Sequence, residues 1–190
     1  MNLSYDVMVR TLPTPNPAAI KFIVNAPLKT IGKATFYKTE DAIGLPLVES
    51  LFALPEVLQA HIFENVMTVT FLDTVNHTED LSEQVISIIR TRLPVHDPDF
   101  KMPDEKEVKK MRDNLSPEML QIEEILDRTI RPGLQADGGD LEVLSYSNNT
   151  LVIHYQGACG TCPSSMYGTL DAIQSILQEE FNPDLRVEIG

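Results

Sequence analysis

The sequence predicts an α+β protein built as two small α+β domains joined by a charged linker, and three observations carry that expectation. Stretches with helical apolar spacing alternate with strand-like stretches in both halves of the 190 residues. From residue 95 to residue 115 that periodicity lapses into prolines and mixed charges. The composition, 43% hydrophobic and 23% charged, is that of a chain able to build a core on each side of the break. The expected organisation is a domain over residues 1–94, a linker over 95–115 and a domain over 116–190.

In the first half, residues 5–10 and 21–24 read as short strands. Between them lies the turn-forming run Leu12-Pro13-Thr14-Pro15-Asn16-Pro17, whose prolines argue against ladder pairing. Leu47, Val48, Leu51 and Phe52 follow helical spacing after Pro46. Residues 57–63 and 66–71 read as a hairpin turning at Glu64-Asn65. Thr78 is a candidate cap for a helix with Glu79 and Asp80 in its first turn and Leu81, Val85, Ile88 and Ile89 on one face, ending near Pro94.

The second half reads helix, strand, strand, helix, strand. Ser116-Pro117 is a strong helix start, Met119, Ile122, Leu126 and Ile130 supply the buried face, and Arg131-Pro132-Gly133 is the expected stop. Asp137-Gly138-Gly139-Asp140 supplies a tight turn. Residues 141–147 and 150–156 flank Asn148-Asn149, a two-residue turn of the kind that tolerates left-handed backbone. A loop with both cysteines follows, then a helix over residues 164–181 with Met166, Leu170, Ile173 and Leu177 in one stripe, and a last strand over 185–189.

The net charge of −13 argues against nucleic acid and anionic membrane surfaces as partners, which demand a basic footprint. The cysteine-bearing half is the acidic one: residues 117–190 carry 12 Asp and Glu against 3 Arg and no Lys. No apolar run approaches the roughly 18 residues of a membrane span, and residues 1–6 have neither a basic, apolar signal nor an Arg-rich transit segment, so a cytosolic protein is expected. Two closely spaced cysteines suit a reducing compartment with metal or redox use.

Those cysteines, Cys159 and Cys162, are the candidate site. A thiolate near a helix start is favoured by unpaired amide donors and the positive end of the dipole. Two sulfurs do not complete a four-ligand metal site, so the pair is either a redox dithiol or half of a centre to which a second chain contributes its own pair. A twofold axis near the loop would bring four cysteines together, and Gly157 and Gly160 would let the backbone approach a bulky group.

Ile130-Arg131-Pro132, Asp137-Gly138-Gly139-Asp140 and Gly157-Ala158-Cys159-Gly160-Thr161-Cys162-Pro163-Ser164-Ser165 together resemble the C-terminal domain of NifU and its Nfu-type relatives, iron-sulfur cluster scaffolds and carriers. Thr14-Pro15-Asn16-Pro17 with Lys21-Phe22, then Leu45-Pro46-Leu47 with Leu51-Phe52, and the strand over residues 66–70 are similar to the Nfu N-terminal domain. The resemblance implies that Cys159 and Cys162 ligate a 4Fe-4S cluster shared between two protomers of a homodimer, and it leaves open a 2Fe-2S form as an intermediate. It also implies cluster assembly machinery and apo iron-sulfur client proteins as partners, and no enzymatic turnover. Gly160 and Thr161 depart from the serine-rich version of the loop in some relatives.

The rival reading is a thioredoxin-like dithiol oxidoreductase using Cys159 and Cys162; a structural zinc shared by a dimer is a third. Against the oxidoreductase, the cysteine domain is short, lacks a parallel crossover before the motif, and the chain has no tryptophan. Asp137 and Asp140 are read as turn residues rather than general acid and base. His154 is read as an ordinary strand residue on the face opposite Leu151, Ile153 and Tyr155, and Ser164 and Ser165 as helix caps.

Overall fold

The computed structural model describes residues 6–72, 78–102, 116–161 and 163–190. The chain divides into two compact units, Met1–Phe100 and Lys101–Gly190. Each mixes helices with an independent sheet, the α+β class expected.

The first unit carries β1 (Val9–Pro13), β2 (Ala19–Val24), β3 (Lys33–Phe36), α1 (Pro46–Phe52), β4 (Val57–Phe63), β5 (Val66–Phe71) and α2 (Thr78–Arg92). The strands form an antiparallel sheet in the order β1-β2-β5-β4-β3. Register sets Phe22 beside Met67, Met67 beside Ile62, and Ala34 and Phe36 beside Ile62 and Ala60, all buried on one face. Helices α1 and α2 contribute the further buried side chains Leu47, Val48, Leu51, Leu81, Val85 and Ile89. Alternation then gives the opposite face Lys21, Thr35, His61 and Thr68, with Thr35 Oγ1 hydrogen-bonded to His61 Nδ1 at 2.8 Å.

Three readings of this half change. The first strand lies later than expected and runs into the proline segment, Pro13 pairing with Ile20. An edge strand allows this, because a residue without an N–H costs no ladder bond on the open side. The run Thr14-Pro15-Asn16-Pro17 turns through side-chain bonds: Thr14 Oγ1 donates to the carbonyls of Asn16 and Ala19, and Asn16 Oδ1 accepts from Ala18 N at 3.0 Å. Strand β3 was not anticipated. With Ala34 and Phe36 as its two buried residues, it is too short to show a period.

Residues 96–100, assigned above to the linker, fold onto the first unit. Thr30 N donates to Pro98 O at 2.9 Å, His96 Nε2 lies 2.7 Å from Leu28 O, and buried Lys29 donates through Nζ to Phe100 O at 2.8 Å. The Phe100 ring is buried, 6.1 Å from Phe36 between centroids, with Lys29 Nζ 4.4 Å above it. Residues 103–115 of that linker lie outside the described residues, and the side chain of Thr78, the expected cap, lies outside the described side chains.

The second unit carries α3 (Pro117–Thr129), α4 (Arg131–Ala136), β6 (Gly139–Ser147), β7 (Thr150–Gly157), a 3-10 turn (Ala158–Thr161), α5 (Pro163–Glu180) and β8 (Arg186–Ile189). Ser116 Oγ accepts from Met119 N at 3.2 Å, the expected cap. The expected stop at Arg131-Pro132-Gly133 is instead a restart. Ile130 stays in the right-handed helical region, and proline in a first turn lacks only a donor that a helix start leaves unused. Asn148 and Asn149 adopt φ of 50° and 62°, the turn expected between β6 and β7. These two strands are antiparallel, and β8 adds to β7 in parallel. One face of the sheet closes on a core that includes Ile122, Leu126, Leu141, Ile153, Ile173 and Leu177, and Cys159 belongs to it.

Two predictions follow from the fold of residues 96–100. Removing the buried Phe100 ring in Phe100→Ala lowers the stability of the first unit by about 3 kcal/mol; a loss below about 1 kcal/mol in urea unfolding would return this segment to linker status. Burial holds the His96 pKa below its ordinary value, against the raising effects of the Leu28 carbonyl and Asp97. Its Nδ1 is buried with no hydrogen-bond partner among the described residues, so a second ring proton is unaccommodated. The stability this contributes is complete above the unfolded value of 6.5 and is lost as pH falls from there through the lowered folded value. The protection factor of the Thr30 amide, which corrects for the intrinsic slowing of exchange in acid, therefore falls on acidification below about 6.5, and His96→Gln flattens the dependence.

Candidate functional site

Cys159 stands in the 3-10 turn that leaves the end of β7. Gly157, the last residue of the strand, has φ of 66°, a conformation that side chains resist and that aims the chain out of the sheet. Ala158 N donates to Gly138 O at 3.1 Å and Gly139 pairs with Gly157, so the start of β6 lies alongside the cysteine turn. A Cβ at Gly139 would sit 2.4 Å from Cys159 Sγ and 2.9 Å from Gln156 O. A Cβ at Gly160 would sit 2.9 Å from Tyr155 O. Both glycines are thus required by close approach, and the first forms one wall of the thiol's seat.

The seat is interior, with Cys159 only 7% exposed. Burial, with the negative charge available at Cys159 as a second cause, pushes the Tyr155 hydroxyl well above its ordinary pKa. Cys162 lies outside the described residues, and the side chains of Ser164 and Ser165, the expected caps of α5, lie outside the described side chains.

The aspartates of the Asp-Gly-Gly-Asp run have separate roles. Asp137 closes α4, its N–H bonded to Gly133 O and Leu134 O, and Gly138 makes the turn with φ of 83°. Asp140 belongs to β6 and is 2% exposed. Its Oδ1 accepts from Leu141 N at 2.7 Å and its Oδ2 from Gln135 Nε2 at 3.3 Å. His154 is on the outward face of β7, where Nδ1 lies 3.1 Å from Gly190 O, as its alternation with buried Ile153 and Tyr155 requires.

Sequence reasoning missed the ionic group beside this loop. Arg131, read as part of a helix stop, is buried, with Nη2 2.6 Å from Glu123 Oε2, Nη1 bonded to Asp127 Oδ1, and Nε 3.6 Å from Asp140 Oδ1. Burial alone would depress the guanidinium pKa, but the charges and hydrogen bonds of Glu123 and Asp127 outweigh it and raise the value. The signal was present: Glu123, Asp127 and Arg131 stand at successive four-residue steps, one helical face.

Compared with known proteins, residues 9–95 match the family described as "Scaffold protein Nfu/NifU N terminal" and residues 122–188 match the NifU-like domain. The chain is 29% identical over 175 residues to NifU-like protein 5, mitochondrial, of Arabidopsis thaliana, covering 90% of this chain and 63% of that protein. NifU-like protein 4, mitochondrial, of the same plant is 28% identical over 176 residues, with 90% and 62% covered. The Homo sapiens protein named NFU1 iron-sulfur cluster scaffold homolog, mitochondrial, is 28% identical over 176 residues, with 90% and 67% covered. The chain thus spans less than two thirds of the length of the two plant relatives.

The site's geometry predicts the effect of filling it. Gly139→Ala forces the Cys159 thiol from its seat, lowering stability by about 1–3 kcal/mol through overpacking and speeding alkylation of Cys159. Gly133→Ala, whose Cβ meets nothing within 4 Å, leaves both unchanged or gains slightly in stability. Equal alkylation rates in the two variants would remove the role assigned to Gly139.

Proposed function

We propose that this chain, which belongs to the Nfu-type family of NifU-like proteins, is an iron-sulfur cluster scaffold and carrier. Its cargo is a 4Fe-4S cluster held between two protomers through Cys159 and Cys162 and passed to apo client proteins. Assembly machinery loads it, by a route that leaves open a 2Fe-2S intermediate. The observation that carries the reading is the cysteine turn itself: Gly157 leaves the strand at positive φ, Gly139 and Gly160 stand where a Cβ would meet Cys159 Sγ and Tyr155 O, and the turn bears Cys159 in a chain whose one other cysteine is Cys162. A cluster with four thiolate ligands needs a second such pair, and a homodimer supplies it by symmetry.

A centre split between protomers suits delivery rather than turnover. Partial separation of the two chains exposes irons to an acceptor's thiolates, which four ligands from one chain would resist. The role is accordingly non-enzymatic. The antiparallel β6–β7 hairpin that precedes the motif counts against the dithiol oxidoreductase, which would bring a parallel crossover to its nucleophile.

The first unit, with residues 96–100 folded onto it, is assigned to client contact or control of transfer. Neither partner class is nucleic acid or membrane. No helix among the described residues is long and apolar enough to cross a membrane. A cytosolic location meets the need for reduced thiols, while the relatives above are named mitochondrial.

Anaerobic reconstitution with iron and sulfide tests the reading. About two irons and two sulfides per chain in a dimer are expected, with both lost in Cys159→Ala and in Cys162→Ala. Absence of iron from the wild type, or iron retained in a Cys-to-Ala monomer, overturns it.

A further inference from the structure

We infer that Arg131 is a positioning residue that holds the Cys159 thiol in its buried seat. Its relevance to cluster handling rests on the function proposed above, but the seat itself is a property of the empty protein. The guanidinium is shared among three carboxylates from two elements, Glu123 and Asp127 of α3 and Asp140 of β6, while Arg131 itself belongs to α4. Its side chain is 8% exposed and that of Asp140 2%. A buried charge persists only where paired, and a planar fork reaching three partners fixes their relative positions as an ammonium does not.

From Asp140 the constraint passes to the thiol in one residue. Asp140 is pinned by Leu141 N and Gln135 Nε2 as well as by the charge of Arg131. Gly139 precedes it, bordering Cys159 Sγ so closely that one added methyl group would collide. Movement of the start of β6 by the width of an atom either opens the seat or crushes it. Loss of the cation removes the attraction that draws Asp140 toward α3 and leaves three carboxylates facing one another.

The full chain carrying Cys162→Ser, so that Cys159 is the single thiol, supports a direct test. Alkylation by iodoacetamide is timed under native conditions, without cluster, in Arg131→Gln, Arg131→Lys, Asp140→Asn and Arg128→Gln. Arg128 serves as control because its bond to Glu180 is exposed and lies outside the network. Arg131→Gln and Asp140→Asn are expected to react at least about fivefold faster, through local opening whose rate is insensitive to low urea. Arg131→Lys falls between, and Arg128→Gln matches the parent. Asp140→Asn leaves Glu123 and Asp127 to neutralise Arg131, so it reports on the seat if Arg131→Gln fails to fold. Parental rates in Asp140→Asn, or acceleration in every variant that only follows global unfolding, overturn the inference. Wild-type protein that takes up no iron alongside the expected alkylation pattern would reject the cluster reading and leave the positioning role standing.

Discussion

The close approach of Gly139 to the Cys159 sulfur is the constraint on which the second unit is organised. It requires the start of β6 to lie flat against the end of β7, which the Gly139–Gly157 pairing and the Ala158 to Gly138 hydrogen bond enforce. It requires the chain to arrive there from α4 through a left-handed residue, which Gly138 supplies. It also requires α4 to be anchored, which falls to Arg131 and its carboxylates. Each glycine of the two motifs is thus explained by space or by φ at its own position, and the Asp-Gly-Gly-Asp run and the cysteine loop, 18 residues apart in sequence between Gly139 and Gly157, form one structural object.

Much of this was legible because it was local. The cap at Ser116, the Asn148-Asn149 turn and the alternation along β7 depend on neighbours within a few residues, and they fold as the sequence indicated. What was not legible depends on partners far along the chain. Pro13 pairs as an edge residue only because β2 lies beside it, and β3 is a strand only because β4 offers Phe36 and Ala34 a core to enter. Phe100 reads as linker until Lys29 and Phe36, more than 60 residues earlier, are placed around it. Within the site, the cysteines and glycines were visible as a motif, whereas Arg131 was hidden by the proline after it, which signals a helix end as readily as a helix start.

The two units use buried cations differently. Lys29 is satisfied by a carbonyl and an aromatic face, a contact that ties a chain segment to a sheet. Arg131 is satisfied by carboxylates drawn from separate elements. A compact ammonium suits the first role and a planar fork the second. Replacing Arg131 together with its carboxylates by apolar residues of similar volume need not destabilise the unit, whereas removing Arg131 alone strands those carboxylates; what either change removes is the specified position of the groups around the charge.

Under the function proposed above, burial of Cys159 carries a consequence for the cargo. In the empty protein the sulfur is part of the hydrophobic core, alongside Tyr155, Leu141 and Ile153. A cluster shared with a second protomer requires that sulfur to turn outward, and the energy of leaving the core then opposes cluster binding. Cysteine behaves as a small hydrophobe, so the opposing energy is of the order of 1 kcal/mol, enough to shift the equilibrium severalfold but far too little to forbid loading. The same energy is returned when the cluster leaves. A seat that accepts the thiol on departure therefore favours release over rebinding, and the empty loop need not unfold to wait for its next cluster. On this argument the lability of the proposed carrier would arise in two places: in the proposed division of ligands between chains, and in the core position that the chain keeps for Cys159.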